Sequence, residues 1–201
     1  MKTGIDVKFV QERYAKMSDN ELVYLVTQNA NGLTPEALEV AKNEIKKRGF
    51  NPRLSNALDA QNKTDYTVEE IDNYCQLINR LNCPICDSAE DTLNATQTME
   101  VMSFVILTQW KKKVHVGCPD CLDELNNNAL GKSIALGWWG FPWGMIRTIE
   151  AIILNIKNKR SNHLDTPNEF LRSFVVTNIG QLEAHKADRS RLRHVISETL
   201  E

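Results

Sequence analysis

The sequence lacks a strong charge of either sign, internal repeats and low-complexity tracts. Its 201 residues include 24 lysine and arginine residues against 26 aspartate and glutamate residues, a net charge of -2. A dedicated nucleic-acid-binding domain usually carries a basic excess, so this balance argues against one. The apolar share of 42% and the charged share of 25% are ordinary for a folded protein. They exclude wholesale disorder and a polytopic membrane protein.

Targeting signals and catalytic motifs are also missing. The first 14 residues contain neither an apolar signal-peptide core nor a small-residue cleavage site, so we expect a cytoplasmic protein. The chain has no Ser/His/Asp order, phosphate-binding glycine loop, HExxH helix or paired carboxylates that rise above chance. We therefore predict a protein that is not an enzyme.

Four of the five cysteines form two C-x-x-C pairs, CPIC at 83–86 and CPDC at 118–121. In a reducing compartment such pairs indicate metal ligation and not disulfides. Two knuckles brought together by a hairpin complete a tetrahedral site of four thiolates, for which zinc is a commoner occupant than iron. We predict one structural zinc ion, because four protein ligands leave no position for a reactive water. Its ligands are Cys83, Cys86, Cys118 and Cys121.

Other interpretations of the cysteines stay open at this point. A redox-active C-x-x-C pair is expected near a βαβ pattern, which this sequence lacks. Unrelated cysteines of a hydrophobic core would not be expected to show this spacing. His115 could replace a ligand or support one, but a role as a strand residue is favoured. Cys75 is predicted to be a buried thiol.

Helix signals dominate the first part of the chain, and residues 1–60 are predicted to form a helical module. Ser18 and Glu21 have capping-box spacing, and Thr34 with Pro35 begins the next helix. The polar stretch Asn51–Lys63 is interpreted as a linker that contains the domain boundary.

Residues 61–201 are predicted to hold a zinc ribbon at about 83–121, followed by a Trp-rich helical hairpin and C-terminal helices. Within the ribbon, runs at about Asn94–Thr108 and Lys112–Val116 are expected to pair as a β-hairpin. The second knuckle is expected to lead directly into a helix, and Thr166 with Pro167 to begin a later one. The predicted fold class is α+β, mostly α.

The Trp-rich passage contains an uncharged run of 14 residues, Ser133–Ile146, between Lys132 and Arg147. A membrane-spanning helix needs about 20 apolar residues, so this run should not cross a bilayer as a straight helix. Three interpretations remain: a core contact, insertion into a membrane interface, or a groove for a partner protein. The candidate binding residues are Trp138, Trp139, Phe141 and Trp143.

A weaker candidate is the aromatic and basic sequence at the presumed hairpin turn. Such a tip can contact phosphate and stack a base, although lysine-rich turns are usually just solvated. Its residues are Trp110, Lys111, Lys112 and Lys113.

The sequence resembles uncharacterised, mainly bacterial zinc-ribbon proteins in which a C-x-x-C pair precedes GWWGxPWG and a threonine-containing helix that ends in asparagine. The matching residues are Gly137, Trp138, Trp139, Gly140, Pro142, Trp143, Gly144, Thr148 and Asn155. The segment MSDNELVYLV with LTPEALEVAKNEIKKRG is similar to a small helical segment of other bacterial proteins. These resemblances cover about half of the chain and imply an architecture, with no activity or substrate.

The expected function is a non-enzymatic interaction or scaffold role with an unidentified protein partner. The first alternative is a monotopic protein held at a membrane interface, peripheral to its inner face, through the Trp-rich hairpin. The second is a nucleic-acid-binding ribbon, which the charge balance disfavours. The sequence does not indicate the oligomeric state.

Overall fold

The structure is a computed structural model that describes residues 6–105 and 107–200. These residues form two compact units, one of residues 6–70 and 176–192 and the other of residues 71–175 and 193–200. The predicted class, α+β and mostly α, is confirmed. In chain order the elements are α1 (Val7–Lys16), α2 (Asp19–Gln28), α3 (Pro35–Lys47), α4 (Arg53–Asn62), α5 (Val68–Asn79), β1 (Asn94–Phe104), β2 (Leu107–Gly117), α6 (Pro119–Leu136), α7 (Trp143–Asn162), α8 (Glu169–Thr177), α9 (Ile179–His185) and α10 (Arg189–Ser197), with a 3-10 turn at Glu198–Leu200.

The first unit is a helical cluster whose helix starts follow the sequence signals. Ser18 and Glu21 form the predicted capping box, in which each side chain accepts a hydrogen bond from the other residue's backbone N–H. Thr34 caps α3 through the N–H of Ala37, at 3.4 Å. Leu22, Val26 and their neighbours form a buried core with α3 and α4.

The predicted linker is wrong, because most of Asn51–Lys63 is helix α4. Leu54, Ala57 and Leu58 occupy one face of this helix and are buried in the core of the first unit. The intervening asparagine, glutamine and serine residues hide this short apolar stripe in the sequence. Gln61 also has a structural role, since its Oε1 accepts the N–H of Ala30 just beyond the end of α2.

Helix α9, late in the chain, belongs to the first unit, where it packs on α4 and α2. Its Gly180 lies so close to these helices that a Cβ atom would stand 2.5 Å from the carbonyl oxygen of Thr27. A side chain at this position would therefore force α9 away from its packing partners.

The second unit is organised around a long antiparallel hairpin. β1 and β2 pair from Asn94 opposite Gly117 to Phe104 opposite Leu107. The expected hairpin is present, but the strands pair as far as Phe104 and Leu107, well past Trp110. Both strands are therefore 11 residues long, and Trp110–Lys113 lies inside β2.

Helices α6 and α7 pack together and against β1 through small and polar residues. Their buried polar side chains recur at seven-residue spacing, which places them on one face of each helix. The opposite face of α7 carries exposed isoleucines, so this helix is polar inside and apolar outside. The buried polar residues are Asn126 and Ser133 on α6, and Thr148, Asn155 and Asn162 on α7.

Two of these side chains, Asn155 and Ser133, bind the edge of β1 that β2 leaves unpaired, and Asn158 on α7 binds it too. The amide of Asn155 accepts the N–H of Met99 at 3.2 Å and donates to the carbonyl of the same residue at 2.8 Å. It thus makes both hydrogen bonds that a neighbouring strand would make. Asn158 donates to the carbonyl of Gln97 at 2.7 Å, and the hydroxyl of Ser133 accepts the N–H of Val101 at 3.1 Å.

The start of α8 completes the unit. The predicted cap at Thr166 is wrong, because Asn168 caps α8 by accepting the N–H of Leu171 at 2.9 Å. The amide of Asn168 also donates to the carbonyl of Ala95, so the same side chain continues the row of contacts along β1.

Across residues 6–105 and 107–200, none of the helices combines the length with the apolar composition that crossing a bilayer requires.

We expect Asn155→Ala to lower the free energy of unfolding of the second unit by about 2–4 kcal/mol, because two buried backbone groups of Met99 lose their partners. Asn128→Ala is a matched control, since Asn128 is exposed on α6 and the same change in helix propensity applies. All four tryptophans of the chain lie between residues 110 and 143, so their fluorescence during urea unfolding reports this unit. Equal midpoints for the two variants would contradict the assigned role of Asn155.

Candidate metal centre

The first cysteine knuckle is a tight turn between α5 and β1. Pro84 presets the backbone angle for the turn, and the N–H of Asp87 closes it on the carbonyl of Cys83 at 3.0 Å. Asp87 has a left-handed backbone with φ of 63°. Glycine is common at such a position, but aspartate is among the residues that tolerate it.

The second knuckle leads directly into α6, as predicted. Cys118 is the N-cap residue, Pro119 is the first helical residue and Cys121 lies in the first turn. The N–H of Leu122 donates to the carbonyl of Cys118 at 3.0 Å and fixes this turn. The preceding Gly117 ends β2 opposite Asn94, so hairpin pairing brings the second knuckle beside the first.

The structure brings the four predicted cysteines together at the base of the hairpin. Their Sγ atoms all lie within 4.8 Å of one another, and those of Cys86 and Cys118 are 3.7 Å apart. In a tetrahedral site with Zn–S bonds of about 2.3 Å, the sulfurs stand about 3.8 Å apart. The cluster thus has the donor atoms and the dimensions for a metal ion, as in a zinc ribbon.

The electrostatics of the cluster also favour a cation. Burial raises the pKa of Cys83, but the N–H groups of Cys86 and Cys118 that donate to its Sγ outweigh burial and hold that pKa at about 7. Burial raises the pKa of Cys118 to about 11 and that of Cys121 above its usual range. Four thiolates this close repel one another, so a divalent cation at their centre is needed for all of them to ionise.

His115 and Cys75 lie outside the cluster. His115 is buried in β2 with its Nε2 atom 3.1 Å from the hydroxyl of Thr98, so it is the strand residue that was favoured. Burial lowers the pKa of His115, which keeps its ring neutral near pH 7. Cys75 is fully buried in α5, and burial raises the pKa of this thiol to about 12.

The basic candidate residues do not form a hairpin tip. They lie within β2, where the Nζ atom of Lys112 is 2.9 Å from a carboxylate oxygen of Glu150. Lys111 stands opposite Glu100, and the ring of Trp110 lies under the guanidinium of Arg147 at 4.4 Å. Acidic residues thus lie among these lysines, which is unlike an open phosphate-binding patch.

The candidate binding residues of the Trp-rich passage lie at the opposite end of the hairpin from the cysteines. Trp139, Phe141 and Trp143 are 70%, 82% and 63% exposed, and Trp138 is 41% exposed. The core interpretation therefore does not apply to these side chains. Gly140 bridges to Val105 at the hairpin turn, so two segments distant in sequence meet here.

Sequence reasoning assigned no structural role to the buried polar residues that position these elements, although Thr148 and Asn155 belong to the motif that carries the resemblance. The seven-residue spacing of Asn126 with Ser133, and of Thr148 with Asn155 and Asn162, was the available signal. Gly137 belongs to the same arrangement, since a Cβ atom there would stand 2.0 Å from the hydroxyl oxygen of Thr148.

Comparison with protein-family models, with curated proteins and with solved structures finds no match for this chain.

We expect the purified protein to contain one metal ion per chain by elemental analysis. Cys118→Ser should abolish this content and shift the tryptophan fluorescence of the second unit towards that of the unfolded chain, because the closed thiolate site stabilises the fold. Cys75→Ala is the matched control, since it removes a cysteine outside the cluster and should retain the metal. A metal-free wild-type protein with the same tryptophan fluorescence as the metal-bound protein would refute this expectation.

Proposed function

We propose that this chain is a non-enzymatic zinc-ribbon protein in which one structural zinc ion holds the base of the hairpin and the outer face of α7 binds a partner protein. Zinc is favoured over iron because the site is closed and nothing near it points to electron transfer. A closed site also leaves no coordination position for a substrate or a reactive water.

The single observation that carries the interaction role is the reversed polarity of α7. We define the α7 outer face as Ile149, Ile153 and Ile156, which are 49%, 61% and 50% exposed. A helix on the surface of a globular protein normally turns its apolar face inward. Here the inward face is required for binding β1, so the apolar side chains remain outside.

The shape beside this face supports a protein ligand. Ile149, Ile153 and the half-buried Phe170 line an open groove of about 550 Å³. Glu150 and Lys157 border it, so a partner helix with an apolar stripe and charged flanks would match both its centre and its rim. Exposed apolar surface rimmed by charge is typical of protein interaction sites.

The interaction role is tested by placing the photo-crosslinking residue p-benzoylphenylalanine at position 153 in cells that make the full chain. We expect a protein adduct at this position, because the α7 outer face is covered in the complex. The same residue at the exposed Tyr24 position in the first unit is the control and should give no such adduct.

Adding Ile149→Asn and Ile156→Asn should suppress the adduct at position 153, since both changes place an amide on the contact face. Equal adduct formation at positions 153 and 24, or an adduct that survives these two changes, would overturn the interaction role. Iron with visible absorbance in the elemental analysis would overturn the zinc assignment separately.

A further inference from the structure

The apolar end of the second unit joins two uncharged stretches. We define it as residues 101–105 and 107–110 of the hairpin together with residues 133–146 between α6 and α7. Neither stretch contains a charged residue. The bridge between Val105 and Gly140 holds them side by side. The most exposed large side chains of this end are Phe104, Val105, Leu107, Trp139, Phe141 and Trp143.

On each of the four chain segments that leave the apolar end, the first charged residue lies at the same level. The first charged residues are Glu100 on β1, Lys111 on β2, Lys132 on α6 and Arg147 on α7. Glu100 stands opposite Lys111 and lies 2.8 Å from the ammonium group of Lys132. We call these four residues the charged belt.

Contacts of the fourth member, Arg147, join α7 to the same level. Its guanidinium lies over the ring of Trp110 and within 2.6 Å of the carboxylate of Glu150, which also binds Lys112 on β2. A protein partner does not require four separate segments to lose their charge at a common level. A flat boundary between water and hydrocarbon does require it.

The depth beyond the belt matches one leaflet of a bilayer. From Glu100 to the hairpin turn β1 advances four residues, which is about 13 Å at about 3.3 Å per residue. Half of a bilayer core that is about 30 Å thick is about 15 Å. Tryptophan prefers the membrane interface, and lysine and arginine can extend towards headgroups.

Several polar groups within the apolar end are paired inside the protein. The hydroxyls of Ser103 and Thr108 are 3.2 Å apart, and the indole N–H of Trp139 donates to the carbonyl of Ala135 at 3.2 Å. The N–H of Gly144 donates to the carbonyl of Gly140. Such pairing is required of backbone and side-chain groups that leave water for lipid.

We propose that the apolar end inserts into one leaflet of a lipid bilayer as a monotopic anchor, with the charged belt at the headgroup level. The insertion is independent of the α7 outer face, whose Ile153 and Ile156 lie on the water side of the belt. It is driven by apolar burial and therefore persists at high salt, unlike nucleic-acid binding.

The test is flotation of the full, metal-loaded chain with phosphatidylcholine vesicles, with and without phosphatidylglycerol. We expect the wild type to float with both kinds of vesicle and to remain bound at about 0.5 M salt, where surface electrostatics are screened. Trp139→Ser combined with Phe141→Ser should lower the partition coefficient about ten-fold or more, since two large side chains leave the lipid.

The matched control is Phe9→Ser combined with Tyr24→Ser, which removes two exposed aromatic side chains from the first unit and should leave flotation unchanged. Quenching of tryptophan fluorescence by lipids brominated in the acyl chain should occur in the wild type and in this control. Both double variants change surface positions, and circular dichroism checks that each remains folded.

The anchor would be overturned if the wild type does not float or floats only at low salt. Equal flotation of the wild type and of the double variant Trp139→Ser with Phe141→Ser would also overturn it. Dimers in light scattering without flotation would assign the apolar end to a second copy of the chain and overturn it equally. Ile153→Ser should float like the wild type, so failure of the anchor and failure of the protein interaction are distinguishable.

Discussion

The unpaired edge of β1 is the constraint on which the second unit depends. A two-stranded hairpin leaves the backbone groups on one edge of β1 without a neighbouring strand, and burying them unpaired would be strongly unfavourable. The side chains of Asn155, Asn158, Asn168 and Ser133 replace that strand. Helices α6 and α7 must therefore direct polar side chains inward, which leaves the isoleucines of the α7 outer face on the surface.

The two ends of the hairpin have different chemistry because of this arrangement. At the base, short loops and backbone N–H groups bring four thiols together in a geometry that suits a metal ion. At the turn, glycines at 140 and 144 allow the α6–α7 connection to approach the strands closely, and Gly137 lies against Thr148 of α7. The strands separate these ends by about 33 Å, so the proposed zinc ion supports the proposed anchor through the rigidity of the hairpin and not by contact.

Local chemistry decides how much of this structure is predictable from the sequence. The capping box at Ser18, the proline start of α3 and the cysteine spacing all act within a few residues, and the corresponding elements are present. The predicted position of the hairpin turn is wrong because the aromatic and basic composition of Trp110–Lys113 resembles that of an exposed turn. In the structure these residues pair with Glu100 and its neighbours, so strand β2 includes them. Helix α4 and the side chains that bind β1 depend on partners distant in sequence, and the asparagines in both places resemble loop residues.

The first unit is interrupted in sequence, and this affects how it can be made. Its helix α9 follows the entire segment 71–175, and Gly180 packs closely against Gln61 and Thr27. During synthesis, helices α1 to α4 therefore leave the ribosome more than 100 residues before the helix that completes their core. The second unit also regains residues 193–200 after α9. A single cut in the chain thus cannot release both units intact, and dissecting this protein requires joining segments that the natural order keeps apart.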